Sequence, residues 1–268
     1  MASATCSTIS AEHISIPGAL PAFMQSLIGL PNNPASLYLS INRRSLIIYV
    51  APASTVNIID LSDLNVALCQ KDESALALKS LLETSTIIKV FFDARVPAKS
   101  LFERCDIKLA NETYTKQTYI HEVQLMELAL RQKDRGREWL VGLDKCIIQD
   151  SDLDVDKVTA GSPSGAAGFD MRILHLPVLW AKYHDQLTSG RNGAAFWISM
   201  IREATTKRLE VSRGEKDRGY VDDGAKSGWY KEIIDERTDS WNDDVLMDAI
   251  HGGEYLGGNE HWSKFKLL

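Results

Sequence analysis

Cysteine is scarce in this chain and never paired. The four residues, Cys6, Cys69, Cys105 and Cys146, are scattered and form no CxxC motif. That excludes the spacing of a zinc finger or a small disulfide framework and fits reduced thiols in a cytosolic or nuclear protein. Long apolar runs are missing too, since nothing approaches the roughly 20 residues that a helix needs to span a bilayer. Met1 to Ser10 are small and polar, with no basic stretch, so a flexible terminus is expected there and not a secretory signal. Positive charge is also short. A formal net charge of −6 opposes non-specific affinity for nucleic acid, which is driven by Lys and Arg neutralising phosphates, while leaving room for a local basic strip. An intracellular protein, cytoplasmic or nuclear and without a membrane partner, is expected.

What is present suits a globular α/β protein. At 44% hydrophobic and 25% charged residues in a chain of 268, a core can be buried without disulfide or metal staples. Leu20, Phe23, Met24, Leu27 and Ile28 recur at helical spacing and predict a helix over 19–30, stopped by Pro31-Asn32-Asn33-Pro34. Three β-rich stretches, Leu37–Ile41, Leu46–Val50 and Val56–Leu61, are joined by Arg43-Arg44-Ser45 and by Ala51-Pro52-Ala53-Ser54, which predicts an antiparallel meander. A helix over 73–82 follows. Next comes a buried strand, Ile87–Phe92, broken only by Lys89, and then a helix whose first turn holds Pro97 and which ends near Cys105. Residues 120–131, 138–148, 169–187 and 193–211 read as helical. A meander followed by alternating helix and strand is the order of an RNase H-like α/β fold: a mixed sheet with three antiparallel strands leading, flanked by helices.

Beyond Arg213, Gly and charged residues accumulate as far as residue 240, and a short amphipathic piece occupies 243–250. The chain therefore divides into a flexible 1–10, a domain over 11–212 and a C-terminal extension over 213–268. The extension reads either as a loosely packed tail or as a segment docked through Trp229, Trp241, Tyr255 and Trp262.

Five segments, in order, resemble the RNase D-like 3′–5′ exonuclease family, specifically its Egalitarian-like fungal branch. Ser36-Leu-Tyr-Leu-Ser40-Ile-Asn42 resembles the first motif, an apolar strand carrying Asp-x-Glu. Lys89-Val-Phe-Phe-Asp93-Ala-Arg95 resembles the lead-in to the second. Gln124-Leu-Met-Glu-Leu-Ala129 and Gly142-Leu-Asp-Lys-Cys-Ile147 resemble two helices of that branch. Phe169-Asp170, with Leu176-Pro177-Val-Leu-Trp180, resembles the last motif and its helix. The likeness spans roughly residues 10–212 and implies a 3′–5′ exonuclease-like domain. In that family two divalent metals activate water and stabilise the leaving oxygen. Mg²⁺ demands several hard, anionic oxygens in octahedral geometry. Alternate residues of a strand share a face, which is how Asp-x-Glu delivers two carboxylates to one pocket.

The spacing is kept here and the chemistry is not. Ser40 and Asn42 stand in the first motif's carboxylate positions, Pro97 stands at the second motif's Asp, and Ala166 stands at the water-orienting Tyr. Asp170 alone is retained. The resemblance thus implies an emptied catalytic pocket at Asp170, Ser40, Asn42, Pro97 and Ala166, with no metal expected and Mg²⁺ or Mn²⁺ held by Asp170 and Asp93 if residual activity exists. Ser40 and Asn42 are expected to share one cleft with Asp170.

Other residues admit two readings. Asp93 is a displaced metal ligand or a helix N-cap. His121-Glu122 is a metal pair or, for Glu122, a first-turn acid of its own helix. His175 is a metal ligand or a packed histidine, and Ser40 is a nucleophile only if a base lies beside it. Arg202, Lys207, Arg208 and Arg213 form a phosphate strip or a solvated face interleaved with Glu203 and Glu210. Arg43, Arg44 and Arg95 are the expected nucleic-acid contacts. The leading expectation is a catalytically degenerate pseudo-nuclease binding RNA or another single-stranded nucleic acid, or a protein partner or second copy, as an adapter. The alternatives are a residual metal-dependent 3′–5′ exonuclease and a pocket repurposed for a small molecule.

Overall fold

The computed structural model describes residues 9–109, 119–132, 135–154, 169–189, 194–215 and 227–251. Its centre is the meander of β2 (Leu37–Asn42), β3 (Ser45–Val50) and β4 (Thr55–Asp60). Alternation sorts the side chains. Leu37, Leu39, Leu46, Ile48, Val50 and Ile59 enter one core, and Tyr38, Ile47, Tyr49, Val56 and Ile58 enter the other. The two-residue turn Arg43-Arg44 fixes the register, pairing Asn42 with Ser45.

β5 (Lys89–Phe91) joins β2 in parallel, and β6 (Ile120–Glu122) joins β5 in parallel. At the far edge β1 (Ser10–His13) runs parallel to β4. The result is a six-stranded mixed sheet in the order β1-β4-β3-β2-β5-β6. One face is covered by α1 (Leu20–Ser26), α2 (Leu61–Cys69), α3 (Glu73–Glu83) and α4 (Arg95–Cys105). The other carries α5 (Val123–Leu130), α6 (Leu143–Asp150) and, after a 3-10 turn at Met171–His175, α7 (Leu176–Leu187). α8 (Ala194–Ser212) packs on α4, α5 and β6, and α9 (Lys231–His251) follows. Among the described residues no helix is long and apolar enough to cross a membrane.

Several expectations are corrected. The segment 120–122, read as helical, is the strand β6, and α5 begins only at Val123. The helix expected over 138–148 starts at Leu143. The one expected over 169–187 begins as a 3-10 turn. β1 and α2 are additions to the expected elements. α2 starts without a loop because the Asp60 side chain, at the end of β4, accepts from the backbone N–H of Ser62 and Asp63. In the C-terminal extension α9 is longer than the piece at 243–250, and Trp229 is 7% exposed, inside the core under α7 and α8. Cys6, Ala166, Tyr255 and Trp262 lie outside the described residues.

Candidate functional site

The chain leaves β2 towards β3 on one side and returns, through α2 and α3, to β5 on the other. Such a switch of direction opens a crevice at the carboxyl ends of the two strands. A cavity of about 180 Å³ lies there, lined by Ser40, Asp93, Pro97 and Asp170 together with seven apolar residues, Phe92, Leu143 and Leu176 among them. Four of the positions singled out in the sequence are thus brought together from separate segments. Asn42 is not. It is exposed, does not line the cavity, and its side-chain oxygen accepts from the Arg43 backbone N–H at 2.8 Å in the β2–β3 turn. Alternation places Asn42 on the face of Ser40, but the strand ends there and the turn takes its side chain.

The two carboxylates of the cavity are built alike. Asp93 Oδ1 accepts from the Arg95 backbone N–H at 3.0 Å, and the Arg95 guanidinium closes on both oxygens, with Nε 2.9 Å from Oδ1 and Nη2 2.6 Å from Oδ2. Asp170 repeats this with Arg172. Its Oδ1 accepts from the backbone N–H at 3.0 Å, and its Oδ2 accepts from Nε at 2.8 Å and from Nη2 at 2.5 Å. Arg172 also reaches Asp144 in the first turn of α6, at 3.0 Å. Both are Asp-x-Arg turns, in which an Asp side chain satisfies the N–H two residues on and a planar guanidinium matches the carboxylate fork. The Arg172 hydrogen bonds hold the Asp170 carboxyl below the ordinary range. Burial works to raise that of Asp93, but the bonds and charge of Arg95, with the charge of Arg208, outweigh it and leave it lowered.

Asp93 and Val96 also border a larger groove of about 670 Å³ between α4, α8 and the start of α9. Arg95, Lys99, Lys207, Arg208, Arg213 and Arg237 line it. Of the sequence strip, Lys207, Arg208 and Arg213 therefore face one groove while Arg202 does not line it. Arg95 lines it as well, whereas Arg43 and Arg44 sit exposed on the β2–β3 turn and line neither cavity.

Behind the groove Glu122 is fully buried. Its Oε2 accepts from the Ala94 backbone N–H at 3.0 Å and from Arg208 Nη1 at 3.1 Å, while its Oε1 has no hydrogen-bond partner among the described residues. Glu122 therefore serves the N-terminus of α4 and not the first turn of its own helix. Burial pushes its pKa up, opposed by Arg208. Sequence reasoning missed this link; the signal available was a Glu closing an apolar strand segment.

His121 and His175 are packed residues. His121 Nδ1 accepts from Trp180 Nε1 at 3.0 Å deep in the core, and His175 Nδ1 lies 2.8 Å from Ser151 Oγ with burial lowering its pKa. Among the described residues no three His, Cys, Asp or Glu side chains are grouped to share a metal.

No protein-family model and no curated protein matches the sequence. Solved structures do match. Trypanosoma brucei RNase D in complex with the RNA U12 is 16% identical, with a TM-score of 0.58 over 87% of this chain and 80% of that one. Trypanosoma brucei RNase D alone is 14% identical, with a TM-score of 0.52 over 83% and 80%. At these identities the likeness is one of architecture, and this six-stranded mixed sheet flanked by helices is the RNase D-like, RNase H-like exonuclease fold.

Proposed function

We propose that the protein is a pseudo-exonuclease, an RNase D-like domain that binds single-stranded nucleic acid, RNA first, and presents it as an adapter without hydrolysing it. The observation that carries this reading is the state of the cavity's carboxylates: Asp93 and Asp170 are each clamped by an arginine two residues on. A two-metal site needs several anionic oxygens free to face the ions. Among the described lining residues the remaining side-chain donor is the Ser40 hydroxyl, and the seven others besides Pro97 are apolar. These residues do not fit a pair of Mg²⁺ ions. The RNA complex of the Trypanosoma brucei enzyme supports a nucleic-acid ligand by analogy of fold.

The test is an assay on end-labelled single-stranded RNA and DNA with Mg²⁺ or Mn²⁺, run beside an anisotropy titration of the same strands. Binding without shortening is expected. Metal-dependent laddering that disappears in Asp170→Ala would move the protein to the residual-nuclease reading. A second reading is favoured by the apolar lining and small volume of the cavity, which suit a small apolar ligand. Heat of binding from such a ligand that Ser40→Trp abolishes would support it.

A further inference from the structure

We infer that the strand lies in the groove between α4 and α8, and not in the cavity that holds the family's catalytic positions; this rests on the nucleic-acid reading above. Size separates the two. The groove, at about 670 Å³, falls in the range of roughly 300–1,000 Å³ that drug-sized ligands occupy, whereas the cavity, at about 180 Å³, leaves room only for a smaller molecule and not for a stretch of strand.

Chemistry separates them further. Lys99 on α4 and Lys207 on α8 stand on opposite walls of the groove. Lys99 is 62% exposed and has only a loose i,i+4 contact with Glu103 at 3.8 Å, and Lys207 is exposed with no ion-pair partner among the described residues. The four arginines are held in place by carboxylates: Arg95 by Asp93, Arg208 by Glu122, Arg213 by Glu215 and Arg237 by Glu203. These pairs cancel most of the arginine charge, and Glu103, which also lines the groove, partly offsets Lys99, so the least compensated positive charge is that of Lys207, followed by Lys99. Ser227 Oγ borders the groove with no hydrogen-bond partner among the described residues. Phe102, Met200, Val211 and Trp229 line the groove as well. Cations together with aromatic and apolar surface suit a strand, which offers both phosphates and base faces. An acidic peptide would use the lysines and leave the apolar wall without a partner.

The experiment titrates a short fluorescein-labelled oligouridylate with the full chain and with Lys99→Glu/Lys207→Glu, over a range of salt. These lysines are exposed, so the double variant should fold; Arg208 is avoided because its loss strands Glu122. The variant is expected to bind at least about tenfold more weakly, with a salt slope shallower by about 0.7 for each phosphate it no longer neutralises. Lys145→Glu, at an exposed lysine of α6 that lines neither space, should bind like the unaltered protein, and Ser40→Trp, which fills the cavity, tests the competing location. Loss of binding in Ser40→Trp with none in the lysine variant would overturn the groove and leave the nucleic-acid reading standing. Absence of binding by the unaltered protein would overturn both. Displacement of the strand by uridine monophosphate at equal concentration, or tighter binding of a poly-glutamate peptide, would overturn the choice of a strand as occupant.

Discussion

The small cavity and the larger groove share a wall at Asp93 and Val96, yet they are built from opposite materials. The cavity occupies the switch point where this architecture favours ligands, but apolar side chains line most of it and arginines clamp its two acids. The groove is a gap between helices far apart in sequence, and six basic side chains line it. Asp93 belongs to both, and its partner Arg95 lies on the groove side. Asp93 couples the two, because its carboxylate at the cavity wall holds an arginine of the groove.

Within the groove, floor and rim should respond differently. Arg208→Ala leaves the Glu122 carboxylate buried with only the Ala94 N–H as partner. Breaking a buried pair in this way costs about 3–5 kcal/mol, and urea denaturation should show a loss of that size. Lys207→Ala, on the exposed rim, should stay within about 0.5 kcal/mol of the parent. Equal effects from the two would erase the distinction between a structural floor and a binding rim.

For the cavity, the next largest change is a gain of metal. Ser40→Asp with Asn42→Glu restores the first motif's residue types, but only position 40 lines the cavity. Little Mn²⁺ binding is expected by calorimetry. Adding Pro97→Asp and Arg172→Met supplies another carboxylate and releases Asp170 from its clamp. Mn²⁺ should then bind with a Kd of roughly 0.1–1 mM, as expected of a weak carboxylate site. Binding by the double variant as tight as by the quadruple one would show that the arginine clamp does not control the site.

How much of this could be read in the sequence differs by element. The meander was legible because two β-rich stretches, Leu37–Ile41 and Leu46–Val50, flank the two-residue turn Arg43-Arg44. The convergence of Ser40, Asp93, Pro97 and Asp170 was legible only through the family motifs, since 130 positions separate Ser40 from Asp170. β6 was not legible: Ile120-His121-Glu122 passes into α5 with no turn residue between them. β1 is a mostly exposed edge strand without an apolar pattern. The arginine clamps do carry a signal, the repeated Asp-x-Arg at Asp93 and Asp170, but its meaning depends on both turns facing one cavity. The groove carried no local signal, because it exists only where α4 meets α8, about 100 residues further along the chain.

A cation in neither place sharpens the contrast. Lys89, in β5, is 2% exposed, and its Nζ donates to the Leu81 and Ser85 carbonyls, at 3.2 and 2.8 Å, near the C-terminal end of α3. Burial pushes its pKa down from 10.5 to about 7. Between those values the unfolded chain carries a proton that the folded one has shed. Stability should therefore rise with pH across that window, by at most about 1.4 kcal/mol per pH unit, and the contribution should be flat below it. In Lys89→Met the slope should fall relative to the parent when urea midpoints are compared from neutral to alkaline pH. Identical slopes would mean that Lys89 stays charged when folded.

The smallest effect concerns Asp170, the second carboxylate of the cavity. Its side chain is 47% exposed, so its pair with Arg172 is screened and worth at most about 1 kcal/mol. Asn at this position keeps an oxygen for the Arg172 backbone N–H and loses the charge together with the second acceptor of the guanidinium. Asp170→Asn should therefore lower stability by less than about 1 kcal/mol, while Asp170→Ala, which also removes the cap, should lose about 0.5–2 kcal/mol. Because the folded carboxyl is held below its ordinary range, its contribution is present above the unfolded-state value and is lost as pH falls through the folded one. The parent and Asp170→Asn should converge in stability under acid. Strand binding should be the same in both. A metal-bearing Asp170 would behave otherwise: its neutralisation would remove Mn²⁺ heat and any strand shortening together, and that outcome would return the catalytic function to the cavity.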